Sequence, residues 1–225
     1  GSGSTCFDSI GSFDGTIHGS VWIERDMYYK KVLRFNGTNS DYVQISNNII
    51  TLTNPFTVTA FFKFDSGDSS PRRRRIVSLL DGANSFEIGV HTSERRFAGK
   101  FNDVSFSSET GILDSNTWYF VAVSVTSTSS INIYYSSSFS DILSATMGTS
   151  GMTSAPTSSS IGGGLSSYHW LGSICEVRVL NIAITSDQAM RLMKQPWLVD
   201  HAKINYTETY SSLESKLPIF DSLVD

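Results

Sequence analysis

NTWYFVAVSVTSTSSINIYY, from Asn116 to Tyr135, holds two β-branched and aromatic runs, Trp118–Val125 and Ile131–Tyr135, either side of a Ser/Thr-rich turn. In the first run Trp118, Phe120, Ala122 and Ser124 alternate with Tyr119, Val121, Val123 and Val125. A period of two sends successive side chains to opposite faces of a sheet. Neither face is strongly polar, so the strand is expected to be covered on both sides. The short connector predicts a hairpin with Ile131, Ile133 and Tyr135 on the partner, at the centre of an antiparallel sheet.

Working outward, the same alternation recurs. VLRFNGTNSDYVQI, Val32 to Ile45, has apolar arms about an NGTNS turn and predicts a second hairpin. Asn54-Pro55 breaks the chain before FTVTAFFKF, Phe56 to Phe64. Short strands are expected at Val21–Ile23, Ile76–Leu80, Phe86–Val90, Arg96–Asn102 and Val104–Phe106, with a long one at Leu171–Leu180. Asp141–Ser160 is low in anchors and is expected as a long loop around a weak strand near Ile142–Ala145. Helical signals are confined to Thr185–Met193, behind a Ser/Asp cap, and Glu208–Leu217, stopped by Pro218. Many strands and almost no helix predict an all-β fold, a two-sheet antiparallel sandwich with a short C-terminal helical extension.

The chain has 225 residues, enough for one all-β domain. It is 40% hydrophobic but only 17% charged, a balance expected of extracellular or virion β-proteins. A net charge of −4 argues against nucleic-acid binding. No apolar run is long enough for a membrane span and no signal peptide is expected. GSGS at positions 1–4 reads as a vector-derived remnant, residues 5–200 as the domain, and 201–225 as an amphipathic tail that docks on the domain or a partner subunit. The two cysteines, Cys6 and Cys175, lack CxxC spacing, so either they pair or both are small buried hydrophobes.

LRFNGTNSDYVQI, PFTVTAFFKF, NTWYFVAVSV and WLGSICEVRVLNIAITSDQAMRLM occur in the order seen in laminin-G-like jelly rolls, and the chain resembles that branch of the concanavalin A-like lectin and glucanase superfamily from about Cys6 to Val199. Gln195-Pro196-Trp197 is similar to the ending of phage-encoded copies. The resemblance implies a jelly-roll sandwich and a non-enzymatic attachment module for carbohydrate or a surface protein, at a cell or virion surface. It leaves open a structural role in a homo-oligomer or larger assembly through the tail, and least of all a glycoside hydrolase. Relatives carry Asp where this sequence has Cys175, and in several that Asp helps hold structural Ca2+. Calcium is therefore in doubt here, no cofactor is assigned, and a Cys6–Cys175 disulfide is implied as one substitute tether. Two buried thiols are the equal alternative.

No catalytic residue is assigned. The superfamily's glucanases use carboxylates at strand spacing, E-x-D-x-x-E, to aim acid and nucleophile at one bond. Glu87 stands alone and Glu176 has no acidic partner two residues away. His18, His91, His169 and His201 have no adjacent nucleophile setting. The sharpest charge feature is Arg72, Arg73, Arg74 and Arg75, which could pair with sulfate or carboxylate, or form a solvated loop before the strand at Ile76. Tyr168 and His169 offer a glycan platform beside Trp170, which is expected as core filling. Asn36 and Asp41 carry oxygens for a sugar or cation, and turn chemistry explains both equally well.

Overall fold

In the computed structural model the described residues are 5–6, 14–19, 21–26, 30–45, 55–66, 73–81, 84–101, 104–108, 113–127, 130–137, 140–148, 158–163 and 168–194. They form β1 (Thr5–Cys6), β2 (Gly15–His18), β3 (Trp22–Asp26), β4 (Lys30–Asn36), β5 (Tyr42–Ile45), β6 (Phe56–Phe64), β7 (Arg73–Asp81) and β8 (Asn84–His91). There follow β9 (Arg96–Phe101), β10 (Val104–Ser107), β11 (Tyr119–Ser127), β12 (Ser130–Ser136), β13 (Leu143–Gly148), β14 (Ser158–Ile161), β15 (Leu171–Leu180) and α1 (Ser186–Lys194). An eight-stranded sheet runs β1-β2-β5-β14-β7-β8-β9-β10, and a seven-stranded sheet runs β13-β12-β11-β6-β15-β4-β3. Every described strand pairing is antiparallel. The architecture is the antiparallel jelly-roll sandwich. The expected tail, the helix at 208–217 and the Gln195–Trp197 signature lie outside the described residues.

The Asn116–Tyr135 stretch forms the expected hairpin, with Val125 opposite Ile131 and Val123 opposite Ile133. The middle strand of its sheet is β6, so the hairpin sits one step off centre. Both faces of β11 are covered. Tyr119, Val121, Val123 and Val125 join Phe56, Val58, Ala60, Phe62 and Phe64 of β6 in the core between the sheets. On the other face Phe120, Ala122 and Phe61 meet Ala189, Leu192 and Met193 of α1. Within the main core, the ring of Phe62 stacks on Tyr119 at 5.7 Å and meets Phe97 and Trp170 edge-on at 5.5 Å each. Such pairs add about 0.5–1.5 kcal/mol beyond area burial. Trp170 is core filling, as expected.

A buried polar relay ties the helix to the sheet. Thr57 and Ser124 face each other across β6 and β11, their hydroxyls 3.1 Å apart. Thr57 Oγ1 donates to the Ile182 carbonyl at 2.7 Å, and Ser124 Oγ accepts from the Ile184 amide at 2.9 Å. The segment after β15 is thus held flat on the sheet before α1 begins. The helix starts with a reciprocal cap rather than the Ser/Asp cap expected. Thr185 N donates to Gln188 Oε1 at 2.8 Å and Gln188 N to Thr185 Oγ1 at 3.4 Å, the capping-box geometry.

One expectation is corrected. The NGTNS turn does not close a hairpin: β4 lies beside β15 in one sheet and β5 beside β2 and β14 in the other. Phe35 and Val43 both enter the core between the sheets, so the turn is a corner that carries the chain from one layer to the next. Of the two alternatives left open for the cysteines, Cys6 and Cys175 stand as free thiols rather than as a bridge. Cys6, in the eight-stranded sheet, packs against the core between the sheets. Cys175, in the seven-stranded sheet, turns the other way, under α1.

Removing the Ser124 hydroxyl would strand the Ile184 amide in a buried site. Ser124→Ala is expected to cost about 1–3 kcal/mol, read as a lower urea midpoint with an unchanged m value.

Candidate functional site

Alternation leaves one polar face. In the eight-stranded sheet Val43, Ile161, Val77, Leu79, Phe86, Ile88, Phe97 and Phe106 point into the core, so their strand neighbours point outward. Pair by pair, the register aligns Thr16 with Gln44, Gln44 with Ser160, Ser160 with Ser78, Ser78 with Glu87, Glu87 with Lys100 and Lys100 with Ser105. Cross-strand partners share a face, so these residues form one polar row across seven strands. Ser160, Ser78 and Glu87, in the middle, are buried, while Thr16, Gln44 and Ser105 at the two ends are exposed.

Beside the row, His18 pairs with Tyr42 and the two rings stack at 4.5 Å and 15°. Both are half-buried. An aromatic face next to an exposed amide and hydroxyl offers a sugar C–H stacking and hydrogen bonds together. These residues were missed in the sequence. Their signal was present: in DYVQI, Tyr42 and Gln44 share a face opposite Val43 and Ile45.

The sequence-predicted candidates converge at one end of this sheet, where most are spent on internal contacts. The arginine run is not a solvated loop from 73 onward. β7 begins at Arg73, opposite His91, and a register shift separates Arg75 from Val77. Strand pairing extends the element because its guanidiniums find partners. Arg75 is buried, ion-paired with Glu87 at 2.9 Å, and lies under the Tyr168 ring at 5.0 Å. Arg74 donates to the His169 carbonyl at 2.7 Å, and the Arg75 amide to the Tyr168 carbonyl at 3.1 Å. Arg72 lies outside the described residues.

His169 is 3% exposed, with its Nδ1 facing no hydrogen-bond partner. Its ring bonds the Asp41 backbone; burial lowers its pKa, the charges of Arg74 and Arg75 push the same way, and Asp41 opposes. A Cβ on Gly163 would meet Nδ1 at 2.6 Å, so only glycine admits the ring. Tyr168–Trp170 is therefore a strap, fixed from below by β7 and from the side by the Asp41 corner.

Asn36 and Asp41 serve that corner. The Asn36 amide donates to Asp41 Oδ2 at 3.2 Å and the Thr38 amide to Asn36 Oδ1 at 3.0 Å. Asp41 is fully buried, and Gly19, at φ 72, has no Cβ to strike its carboxylate. Turn chemistry is what Asp41 does. Position 175 does not suit calcium, which takes hard oxygen ligands, because its thiol packs beneath α1 among apolar side chains. Among the described residues no three His, Cys, Asp or Glu converge on a metal site, and no helix is long and apolar enough to cross a membrane.

Comparison with known proteins bears on the fold. No curated protein matches the chain in sequence. Among solved structures, domain 4 of AbnA, an extracellular GH43 arabinanase from Geobacillus stearothermophilus in complex with arabinotriose, superposes with a TM-score of 0.62 at 17% identity, covering 83% of this chain and 91% of that one. The binding domain of Paraclostridial Mosquitocidal Protein 1 gives 0.63 at 12% identity, over 84% of this chain and 51% of that one. The receptor binding domain of botulinum neurotoxin type G gives 0.62 at 11%, over 82% and 47%. The chain thus spans about half the length of these two toxin domains, and the likeness is one of fold. A family model described as the concanavalin A-like lectin/glucanases superfamily, of laminin-G type, matches residues 36–190. With two thirds of its length inside that match and the jelly-roll sandwich around it, this chain belongs to the concanavalin A-like lectin/glucanases superfamily.

Proposed function

We propose that the domain is a non-enzymatic carbohydrate-binding module working at a cell or virion surface. The observation that carries the reading is the stacked Tyr42–His18 pair beside the exposed Gln44 and Thr16 on the outer face of the eight-stranded sheet. The arabinotriose complex of the arabinanase domain and its extracellular setting support it, as does the low charge of the chain. Glycoside cleavage needs a second carboxylate within roughly 5–9.5 Å of the first. Glu87 has Ser78 and Lys100 as register partners, and Ser85 and Gly89 as same-face neighbours on its own strand. Its charge is committed to Arg75. A structural role in an assembly is the second reading, favoured by β13 standing as a sheet edge among the described residues.

A glycan array probed with calcium and again with chelator tests the proposal. Binding of a defined glycan is expected in both conditions, and about tenfold weaker binding in Thr16→Ala/Gln44→Ala, since losing about 1.4 kcal/mol of contact is tenfold in affinity. Silence in both conditions, or binding untouched by the double variant, would overturn it.

Glu87→Gln should separate a structural from a catalytic carboxylate. It removes the carboxylate charge beside the buried Arg75 guanidinium, and a loss of about 3–5 kcal/mol is expected in denaturant titration.

The strap gives the face a pH dependence of known sign. In the unfolded chain His169 titrates at about 6.5; folded, its pKa is lower. As pH falls below about 6.5 the unfolded chain takes the proton first, so the stability due to neutral His169 is full above that pH and is lost below it. Between pH 7.5 and 5.5 the urea midpoint should fall further in the parent protein than in His169→Gln.

A further inference from the structure

Tyr42 and Gln44 share the outer face of β5, beside His18 and Thr16 of β2. Two residues before Tyr42 the chain reaches Ser40, which is exposed, as are Asn39, Thr38 and Asn36 of the same corner. β2 ends against that corner: a Cβ on Gly19 would lie 2.5 Å from the Ser40 carbonyl oxygen. At about 3.4 Å per residue Gln44 stands about 7 Å from Tyr42, and the corner lies beyond it. The stacked rings therefore have exposed polar groups on both sides along the strands. Thr16 and Gln44 stand on one side, and Asn36, Thr38 and Ser40 on the other.

The corner repeats the chemistry of the first pair. Thr38 Oγ1 and Ser40 Oγ lie 3.2 Å apart, and Ser40 Oγ donates to Asp41 Oδ1 at 3.5 Å. Both hydroxyls keep lone pairs to accept with, and Asn36, whose Oδ1 accepts from the Thr38 amide, keeps NH2 hydrogens to donate. Sugar hydroxyls are met by such mixed sets. The charges along this line are negative. Asp41 is fully buried within the corner, and Asp14 stands exposed two residues before Thr16. Among the described residues no lysine or arginine occupies the line.

We infer, on the carbohydrate reading above, that the site takes a neutral oligosaccharide laid along β5, from Thr16 and Gln44 over the Tyr42–His18 stack to the corner at Asn36–Ser40. A single sugar touches the rings and one set of polar groups. Only a chain of sugars reaches both sets, and its second contact forms at high effective concentration. A carboxylated or sulfated chain would set its charge against Asp14 and Asp41, with no cation on the line to answer it.

Isothermal titration of the full chain tests this with arabinose, arabinotriose and arabinopentaose, with glucose, cellotriose and cellopentaose, and with trigalacturonate and pentagalacturonate. In a neutral series the longest chain is expected to bind about tenfold tighter than its monosaccharide, and the galacturonates more weakly than neutral chains of their length. Thr38→Ala/Ser40→Ala should remove most of that advantage, with circular dichroism unchanged. Three results would overturn the inference and leave the carbohydrate reading standing on Thr16 and Gln44: a long neutral chain no tighter than its monosaccharide, a galacturonate that binds as well as the neutral chains, or a length advantage that survives the double variant. Silence toward every one of these sugars would also overturn it, and the carbohydrate reading falls with it only if the glycan array is silent too.

Discussion

The β6–β11 ladder, buried on both of its faces, is the constraint on which the rest of the molecule depends. One face needs the eight-stranded sheet over it and the other needs α1. A doubly covered strand pair leaves no solvent for its polar side chains, so Thr57 and Ser124 must find partners inside the protein. They find them in Ile182 and Ile184. Covering the apolar residues and satisfying the hydroxyls are met by one segment, the stretch that leaves β15 and turns into the helix.

The eight-stranded sheet is covered on its inner face, and its outer face follows different rules. There the period of two places hydroxyls, an amide, a carboxylate and an ammonium across neighbouring strands. At the middle of the row, charge is neutralised within the fold: Glu87 answers Arg75, and Tyr168 lies on the guanidinium. The end near β2 and β5 keeps Thr16 and Gln44 open to solvent beside the half-buried His18 and Tyr42 rings. A face built this way holds its own geometry in the middle and offers contact at its margin.

Much of this was legible in the chain. FTVTAFFKF and YFVAVSV alternate so regularly that their strands, and the double burial of the latter, follow from side-chain periodicity alone. The arginine run and the Tyr168–His169 pair were visible as unusual residues, but their roles were not. Whether Arg75 meets a sulfate or Glu87 depends on which strand lies next to β7, and register is a property of the assembled sheet. The same holds for Asp41, whose turn looks like a hairpin tip in sequence and is a corner between layers in space. Tyr42 and His18 carried a signal in their parity, though their stacking could not be read because β2 and β5 are separated by two strands of the other sheet.

By itself the sequence determined the class of fold, the residues of the central hairpin, the last long strand and the helix that follows, because these depend on local periodicity and capping. Only the tertiary structure decided that Cys6 and Cys175 face away from each other, that Arg74 and Arg75 are used internally, and that the half-buried aromatic pair lies on the outer face of the eight-stranded sheet. The physical reason is that a strand's two faces are equivalent until neighbouring strands and layers are chosen. That choice is made by long-range packing, here the burial of Phe62 against Phe97, Tyr119 and Trp170.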